Sequence, residues 1–475
     1  MPTHVDQTMP EVRCLKAAGP PGPSRRLLLL SHNFPPMETA GALRWEKLAP
    51  LAALRGYELD AVTAFPDSVD RTRLDSLPTG TSVTGVPDRD PWPTRLENWA
   101  ARRRPKSSTP FPGSEASTSV GSAPPRVRPD SLGPDEIHWS LAPRAILRGW
   151  WYWQAWLKER QWAWDAAAAG ARLLTAQHCA IVSCGPPHQV HVGGARLARR
   201  FGLPHIVDLR DPWARRRRLP EIVATPLLFA LNKPAERATI SRAALVVANT
   251  PALRDALRLD HPDAADRIIA VMNGYDDETY PSRATGERFV IAYAGNVYLD
   301  RTPRALFTAV ARLATSHQLT PENFAVDFLG PGGEGARTIE REAKEAGVER
   351  YVRVLPRKPR AEALDFLTEA TVLLSLPQDS AFAIPSKLFE YLGFEAWVLA
   401  LAAADSPSGQ ALAGTGVAVI DPGDVDRLSA VLAGWLVDFR RGVRPGKIPG
   451  RERLSRAHQA NLLFDAIDRV TGGQR

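Results

Sequence analysis

A lysine in the first turn of a helix is electrostatically misplaced, because the free N–H groups there already carry about half a positive charge. Lys387 occupies such a place in the segment Ala383-Ile384-Pro385-Ser386-Lys387-Leu388-Phe389-Glu390-Tyr391. Pro385 and Ser386 are good N-cap and first-turn residues, and the misplaced cation points to a bound phosphate. Glu390 lies three residues on, on the same helix face, and offers two acceptor oxygens suited to the hydroxyls of a ribose. The competing reading, a plain Lys–Glu helix pair, is the less favoured one. A second anion site is readable in Gly295-Asn296 with Arg301, after Tyr293-Ala294. Glycine lets backbone approach a ligand, and Arg301 brings a fork of donors near the next helix start. A tight turn with a solvated arginine explains these residues equally well.

Two further clusters lie in the first half of the chain: Ser183-Cys184-Gly185-Pro186-Pro187-His188-Gln189-Val190-His191 and Asp208-Leu209-Arg210-Asp211-Pro212-Trp213. A lone histidine is usually structural. Two histidines and two carboxylates at strand ends, with Arg210 and Trp213 beside them, are better candidates for contacts to sugar or acceptor hydroxyls. Arg215 to Arg218 form a run that is usually a solvated face; an acidic acceptor or an anionic membrane surface is the sharper alternative. Asp424-Val425-Asp426 has the spacing of a metal-binding Asp-x-Asp, but it stands at a helix start, where carboxylates are favoured anyway, and it is discounted.

Residues of this kind need a frame that delivers loops to one place. Residues 27–30 are strand-length and apolar, residues 41–55 carry leucines at helical spacing with Pro50 inside, which should kink the helix unless two shorter helices meet there, and residues 58–63 return as strand. This βαβ opening predicts a parallel sheet. Residues 1–24 read as a mobile tail, and residues 87–143 as a Pro-, Ser- and Arg-rich insertion without a core element. Strand and helix patterns alternate again from residue 180. A break near residues 280–287 separates a first domain, 25–280, from a second, 285–440, with a last helix beyond residue 441. Apolar strands between amphipathic helices predict two doubly wound α/β domains in tandem, with ligands at the carboxyl ends of the strands.

Composition narrows the class. With 475 residues, 44% apolar and 24% charged, the chain is an ordinary globular protein of several domains. The net charge of +8 is modest for this length and does not imply nucleic acid. Three cysteines, with no metal-like spacing, suit a reducing compartment. No signal peptide and no apolar run of about 20 residues is present, so a cytoplasmic protein is expected. Nine of the 13 tryptophans fall between Trp92 and Trp164. Packing of a long helix over residues 146–174 is preferred for that segment, with an interfacial helix on a membrane as the alternative.

Taken in order, Asn33-Phe34-Pro35-Pro36, the Ser-x-Gly-Pro-Pro before His191, Asp208-x-Arg210-Asp211-Pro212-Trp213, Ala248-Asn249-Thr250, Asn273-Gly274-Tyr275-Asp276, Tyr293-Ala294-Gly295-Asn296 and Pro385-Ser386-Lys387-Leu388-Phe389-Glu390-Tyr391 resemble the retaining GT-B glycosyltransferases of the family called GT4. The resemblance runs from about residue 27 to residue 437. It implies a GT-B fold whose C-terminal domain binds a nucleotide-diphospho-sugar, UDP- or GDP-linked, and whose N-terminal domain binds a hydroxyl acceptor, with no essential metal or other cofactor. It also implies that the last helix, over residues 453–470, returns to the first domain. Residue by residue, it gives Glu390 the ribose hydroxyls and Arg301 and Lys387 the diphosphate. Gly41 falls in the loop under the donor, and His191 and Asp211 near sugar and acceptor. The family often carries another glutamate eight residues before Glu390, where this chain has Phe382.

The expected activity is therefore transfer of a hexose, with retention, to a saccharide, lipid-linked saccharide or small molecule. Catalysis would stabilise charge on the departing diphosphate through Arg301 and Lys387. A nucleotide-sugar epimerase and a non-catalytic partner on the same scaffold are the alternatives. Peripheral membrane contact would run through Arg215 to Arg218 or the Trp-rich segment.

Overall fold

The computed structural model describes residues 12–17, 25–37, 39, 41–65, 72–95, 144–215, 226–276, 280–282, 288–297, 301–377 and 381–472. The four leucines at 27–30 lie within β2 (Arg25–Ser31), all with no exposed surface, because helices cover both faces of the sheet around them. Around β2 the first sheet collects β1 (Arg13–Lys16), β3 (Tyr57–Phe65), β4 (Thr81–Pro87), β5 (His178–Gly185), β6 (His205–Leu209), β7 (Leu245–Ala248) and β8 (Ile268–Ala270). Their spatial order is β1-β4-β3-β2-β5-β6-β7-β8, parallel throughout except for β1, which runs antiparallel to β4.

The second sheet orders its six parallel strands β11-β10-β9-β12-β13-β14, built from β9 (Phe289–Ala294), β10 (Phe324–Leu329), β11 (Val352–Leu355), β12 (Val372–Ser375), β13 (Trp397–Leu401) and β14 (Ala418–Ile420). Strands β4-β3-β2-β5-β6-β7 of the first sheet repeat the same 3-2-1-4-5-6 winding. The order in which strands are added therefore reverses between β2 and β5 in one sheet and between β9 and β12 in the other, and the loops leaving those strands open a crevice. Every motif singled out in the sequence leaves one of these strands or their neighbours.

Three details differ from the sequence reading. Part of the expected tail is ordered: Arg13–Lys16 forms an edge strand, and Lys16 donates to the carbonyls of Leu74 and Leu77 at 2.9 and 2.7 Å. Four mixed residues give no periodic signal, so the sequence could not show it. Strands β4 and β8 were likewise not anticipated, being rich in Thr and Gly or only three residues long. Pro50 lies inside one continuous helix, Leu43–Leu54.

The Trp-rich segment forms the helix Arg144–Leu173, which packs against the helix Gln189–Phe201 and across β2, β3 and β4. Trp162 is buried against His32, and Trp156 Nε1 donates to Asn232 at 3.2 Å. Trp92 and Trp150 stay exposed on either side of Trp153. No described helix is long and apolar enough to cross a membrane. Residues 96–143, most of the expected insertion, lie outside the described residues, as do Arg216 to Arg218. Arg215 itself pairs with Asp260.

The final helix, Arg456–Val470, leaves the second domain and packs on the helix Leu43–Leu54 of the first. Its Leu463, Phe464 and Ile467 join the same core as Leu27, Leu29 and Tyr57.

Candidate active site

The crevice between the two sheets is a cleft of about 500 Å³. On its second-domain wall, β9 is followed by Gly295 at φ +124°, a backbone conformation open to glycine and strained for other residues. A Cβ there would stand 2.5 Å from Lys387 Nζ, so the missing side chain makes room for the ammonium. Lys387 Nζ donates to Tyr293 Oη at 2.9 Å and to the Ala294 carbonyl at 2.8 Å, and lies 4.0 Å from the centre of the Tyr293 ring. Tyr293 Oη in turn donates to the Asn296 carbonyl at 2.8 Å.

None of these partners of Lys387 is anionic. Desolvation, reinforced by the guanidinium of Arg301 and opposed by Glu390, lowers its pKa from the ordinary lysine value to about 7. Arg301 is buried, with 5% of its surface exposed, and lines the same wall. Glu390 sits on the short helix Ser386–Tyr391 and accepts from Arg360, a cation that the sequence reading did not single out. The cleft thus gathers Gly295, Asn296, Arg301, Pro385, Ser386, Lys387 and Glu390, the residues expected to hold the donor, apart from Gly41, which does not line it.

The first-domain wall is less as expected. Arg210 and Asp211 line the cleft, but His188, His191, Asp208 and Trp213 do not. Asp208 is wholly buried and takes a bidentate contact from Arg44, with Nε to Oδ2 at 2.8 Å and Nη2 to Oδ1 at 2.9 Å. Trp45 Nε1 also donates to it, at 2.8 Å. Burial pushes this carboxyl upward, and Arg44, Trp45 and Arg210 overcome that, holding it below the usual carboxylate range. Asp208 is an anchor for the first helix rather than a contact for substrate.

His191 is also sealed, with no exposed surface. Its Nδ1 and His205 Nε2 each meet Ser183 Oγ at 2.8 Å, and its ring lies 5.5 Å from that of Trp213. Burial and the neighbouring His205 push its pKa down to about 3, so the ring is neutral at physiological pH. His188 stacks on Trp213 at 5.8 Å in the same sealed group. Sequence spacing brought these side chains to the right strand ends without showing their depth.

Gly41 supports Arg210: Nη1 donates to the Gly41 carbonyl at 2.7 Å, and a Cβ on Gly41 would lie 2.7 and 2.8 Å from Nη1 and Nη2. The floor of the cleft is the linker Asn273-Gly274-Tyr275-Asp276, which pairs with the start of the last helix. Tyr275 N donates to the Leu454 carbonyl, and Arg456 N donates to the Tyr275 carbonyl at 2.7 Å. Asp276 accepts from Arg456 and lies 3.1 Å from Lys47. Arg44, Lys47 and Arg456 were missed because cations on amphipathic helices read as solvated faces.

Phe382 turns away from the cleft. Its ring packs on the first-domain cluster containing Val207, Leu209 and Trp213, and Thr250 Oγ1 donates to its carbonyl at 2.6 Å. Asp424 caps the helix Val425–Arg440 through Arg427 N at 3.0 Å, and Asp426 pairs with Arg312, away from the cleft.

No family model matches the chain, and no curated protein matches its sequence. Its shape does match solved structures. Sucrose-phosphate synthase from Thermosynechococcus elongatus superposes with a TM-score of 0.61 at 13% identity, covering 95% of this chain and 100% of that one. A glycosyltransferase from Rickettsia africae gives 0.55 at 8% identity over 95% and 100%. A lipopolysaccharide outer core galactosyltransferase gives 0.53 at 12% identity over 93% and 99%. At these identities the likeness is one of fold, and with the two matching sheets it shows that this chain has the GT-B architecture of paired Rossmann-like domains.

Proposed function

We propose that the chain is a glycosyltransferase, moving a hexose from a nucleotide-diphospho-sugar to a hydroxyl acceptor. The observation that carries this reading is the desolvated Lys387, beside Arg301 and facing a cleft, with no carboxylate among its hydrogen-bond partners. A cation held in that state is a receptor for an anion. Glu390 stands three residues along the same helix to take ribose hydroxyls, and its contact with Arg360 fixes one carboxylate oxygen while leaving the other for the ligand. The galactosyltransferase and the glycosyltransferase from Rickettsia africae, similar in fold, are transferases by their names.

In the transfer, the bond between the anomeric carbon and the diphosphate oxygen breaks, one to the acceptor oxygen forms, and the proton of the acceptor hydroxyl passes to the departing diphosphate. Negative charge grows on the leaving phosphate, where Lys387 and Arg301 meet it without reorganisation. Asp211 is the carboxylate on the acceptor wall and is assigned the contact to the incoming hydroxyl. His191 does not reach the reacting atoms; with Ser183 it positions the loop that carries Gly185 and His188. Retention, which the GT4 resemblance implies, and a cytoplasmic setting, which three free cysteines suit, complete the reading.

The test is a thermal-shift panel of UDP, GDP, ADP and TDP, followed by product analysis with the sugar nucleotide that binds. Lys387→Ala and Glu390→Ala should abolish the shift and the product. Unchanged binding in both variants would sink the assignment of the site, and a free epimerised sugar nucleotide formed without acceptor would favour the epimerase.

A further inference from the structure

Most cations around the cleft are ion-paired, and the exceptions are specific. Arg44 is matched by Asp208, Lys47 and Arg456 share Asp276, and Arg360 meets Glu390. On the second-domain wall Lys387, with Arg301 beside it, faces the diphosphate of the proposed donor. On the opposite wall one more cation has no carboxylate bonded to it among the described residues: Arg210, at the end of β6.

Arg210 is held as a fixed fork. Its backbone N–H donates to the Gly185 carbonyl at 3.1 Å, and its own carbonyl accepts from Asn249 Nδ2 at 2.8 Å. Its guanidinium lies against Gly41, spending one N–H on that carbonyl at 2.7 Å. Loops after β2, β5 and β7 thus converge to orient one side chain. The remaining donors of a planar, permanently charged group suit a phosphate or a carboxylate, which they can bind in bidentate fashion. A neutral hydroxyl would leave the charge unanswered. Arg210 also contributes at a distance to holding Asp208 ionised, but Arg44 already matches that carboxylate, and Asp211, the other carboxylate on this wall, makes no ion pair with Arg210, so the guanidinium stays available to a ligand.

We infer that the acceptor is anionic, and that Arg210 binds its phosphate monoester or carboxylate while the donor occupies the opposite wall. This rests on the glycosyltransferase reading and narrows it to a charged acceptor class.

The experiment uses the full chain with a saturating concentration of whichever nucleoside diphosphate binds in the panel. Glucose 6-phosphate, glucuronate and glucose are then titrated separately while the melting temperature is followed. A charged sugar should raise the melting temperature and neutral glucose should not, and the stronger of the two charged probes tells phosphate from carboxylate. Arg210→Ala and Arg210→Gln should weaken that response by about 10- to 100-fold, the range for losing a hydrogen bond to a charged group, while keeping the nucleotide shift. Arg210→Lys should recover part of it. The inference is overturned if neither charged sugar registers, if glucose registers equally, if Arg210→Ala responds like the native chain, or if Arg210→Ala loses nucleotide binding instead. Should no nucleoside diphosphate bind the native chain, or should its binding survive Lys387→Ala, the donor-site reading fails by itself.

Discussion

Lys387 offers a measurable consequence of holding a cation out of water. The gap between the ordinary lysine value of 10.5 and about 7 corresponds to roughly 5 kcal/mol. In the empty protein this is a cost that is full below about pH 7 and fades as the pH climbs toward 10.5, because over that interval the unfolded chain keeps a proton that the folded chain has released. A diphosphate bound beside the ammonium reverses the balance and restores the proton. Arg301 is a guanidinium and carries its charge across this window, and burial raises the Tyr391 phenol so that it stays protonated. The terminal phosphate, with a pKa near 6, is ionised throughout. With a pKa of about 7, half the lysines carry a proton at pH 7 and about one in a hundred at pH 9. Nucleoside diphosphate affinity should therefore fall about 50-fold across that interval. Calorimetric titrations at pH 7 in buffers of different ionisation enthalpy should report an uptake of about half a proton per ligand bound. Lys387→Met should bind weakly and lose both the slope and the uptake. A flat affinity from pH 7 to 9 in the native chain, or an equal slope in Lys387→Met, would refute the argument.

Other consequences are structural. Arg44→Ala strands the buried Asp208 carboxylate and should cost about 3–5 kcal/mol in equilibrium unfolding, with Asp208→Asn in the same background recovering part of the loss. Gly274 adopts φ +71°, and a Cβ there would lie 2.7 Å from Arg456 backbone atoms, so Gly274→Ala should lower the denaturant midpoint by the equivalent of about 2 kcal/mol or more. Gly41→Ala should push the Arg210 guanidinium off its seat, erasing the charged-sugar response in thermal titrations while leaving the nucleoside diphosphate shift in place.

The fold was readable because covered strands are apolar runs, and Leu27 to Leu30 or Val372 to Leu374 can hardly be anything else when helical patterns flank them. Edge and short strands escaped for the complementary reason: Arg13–Lys16 is stabilised by pairing with a distant strand, which no local pattern encodes. At the site, loops that follow strands were placed correctly as groups, since the end of a strand decides where its loop emerges. Depth was not legible. Asp208 and Asp211 are three residues apart, yet one is sealed beneath Arg44 and Trp45 while the other lines the cleft. His191 looked available for chemistry and is enclosed, whereas Lys47 and Arg456 looked solvated and face the cleft through a linker that only the tertiary structure brings near.

The return of the last helix makes the first domain discontinuous in sequence. Residues 289–440 are, topologically, an insertion carried between two parts of one folding unit, and Leu463, Phe464 and Ile467 close a core begun more than 400 residues earlier at Leu27. Cutting the chain near residue 280 therefore separates a sheet from its own lid of apolar side chains and does not release two self-sufficient halves. On a ribosome the first domain waits for the whole second domain to emerge before its packing is finished, so the carrier is completed only after its passenger is present.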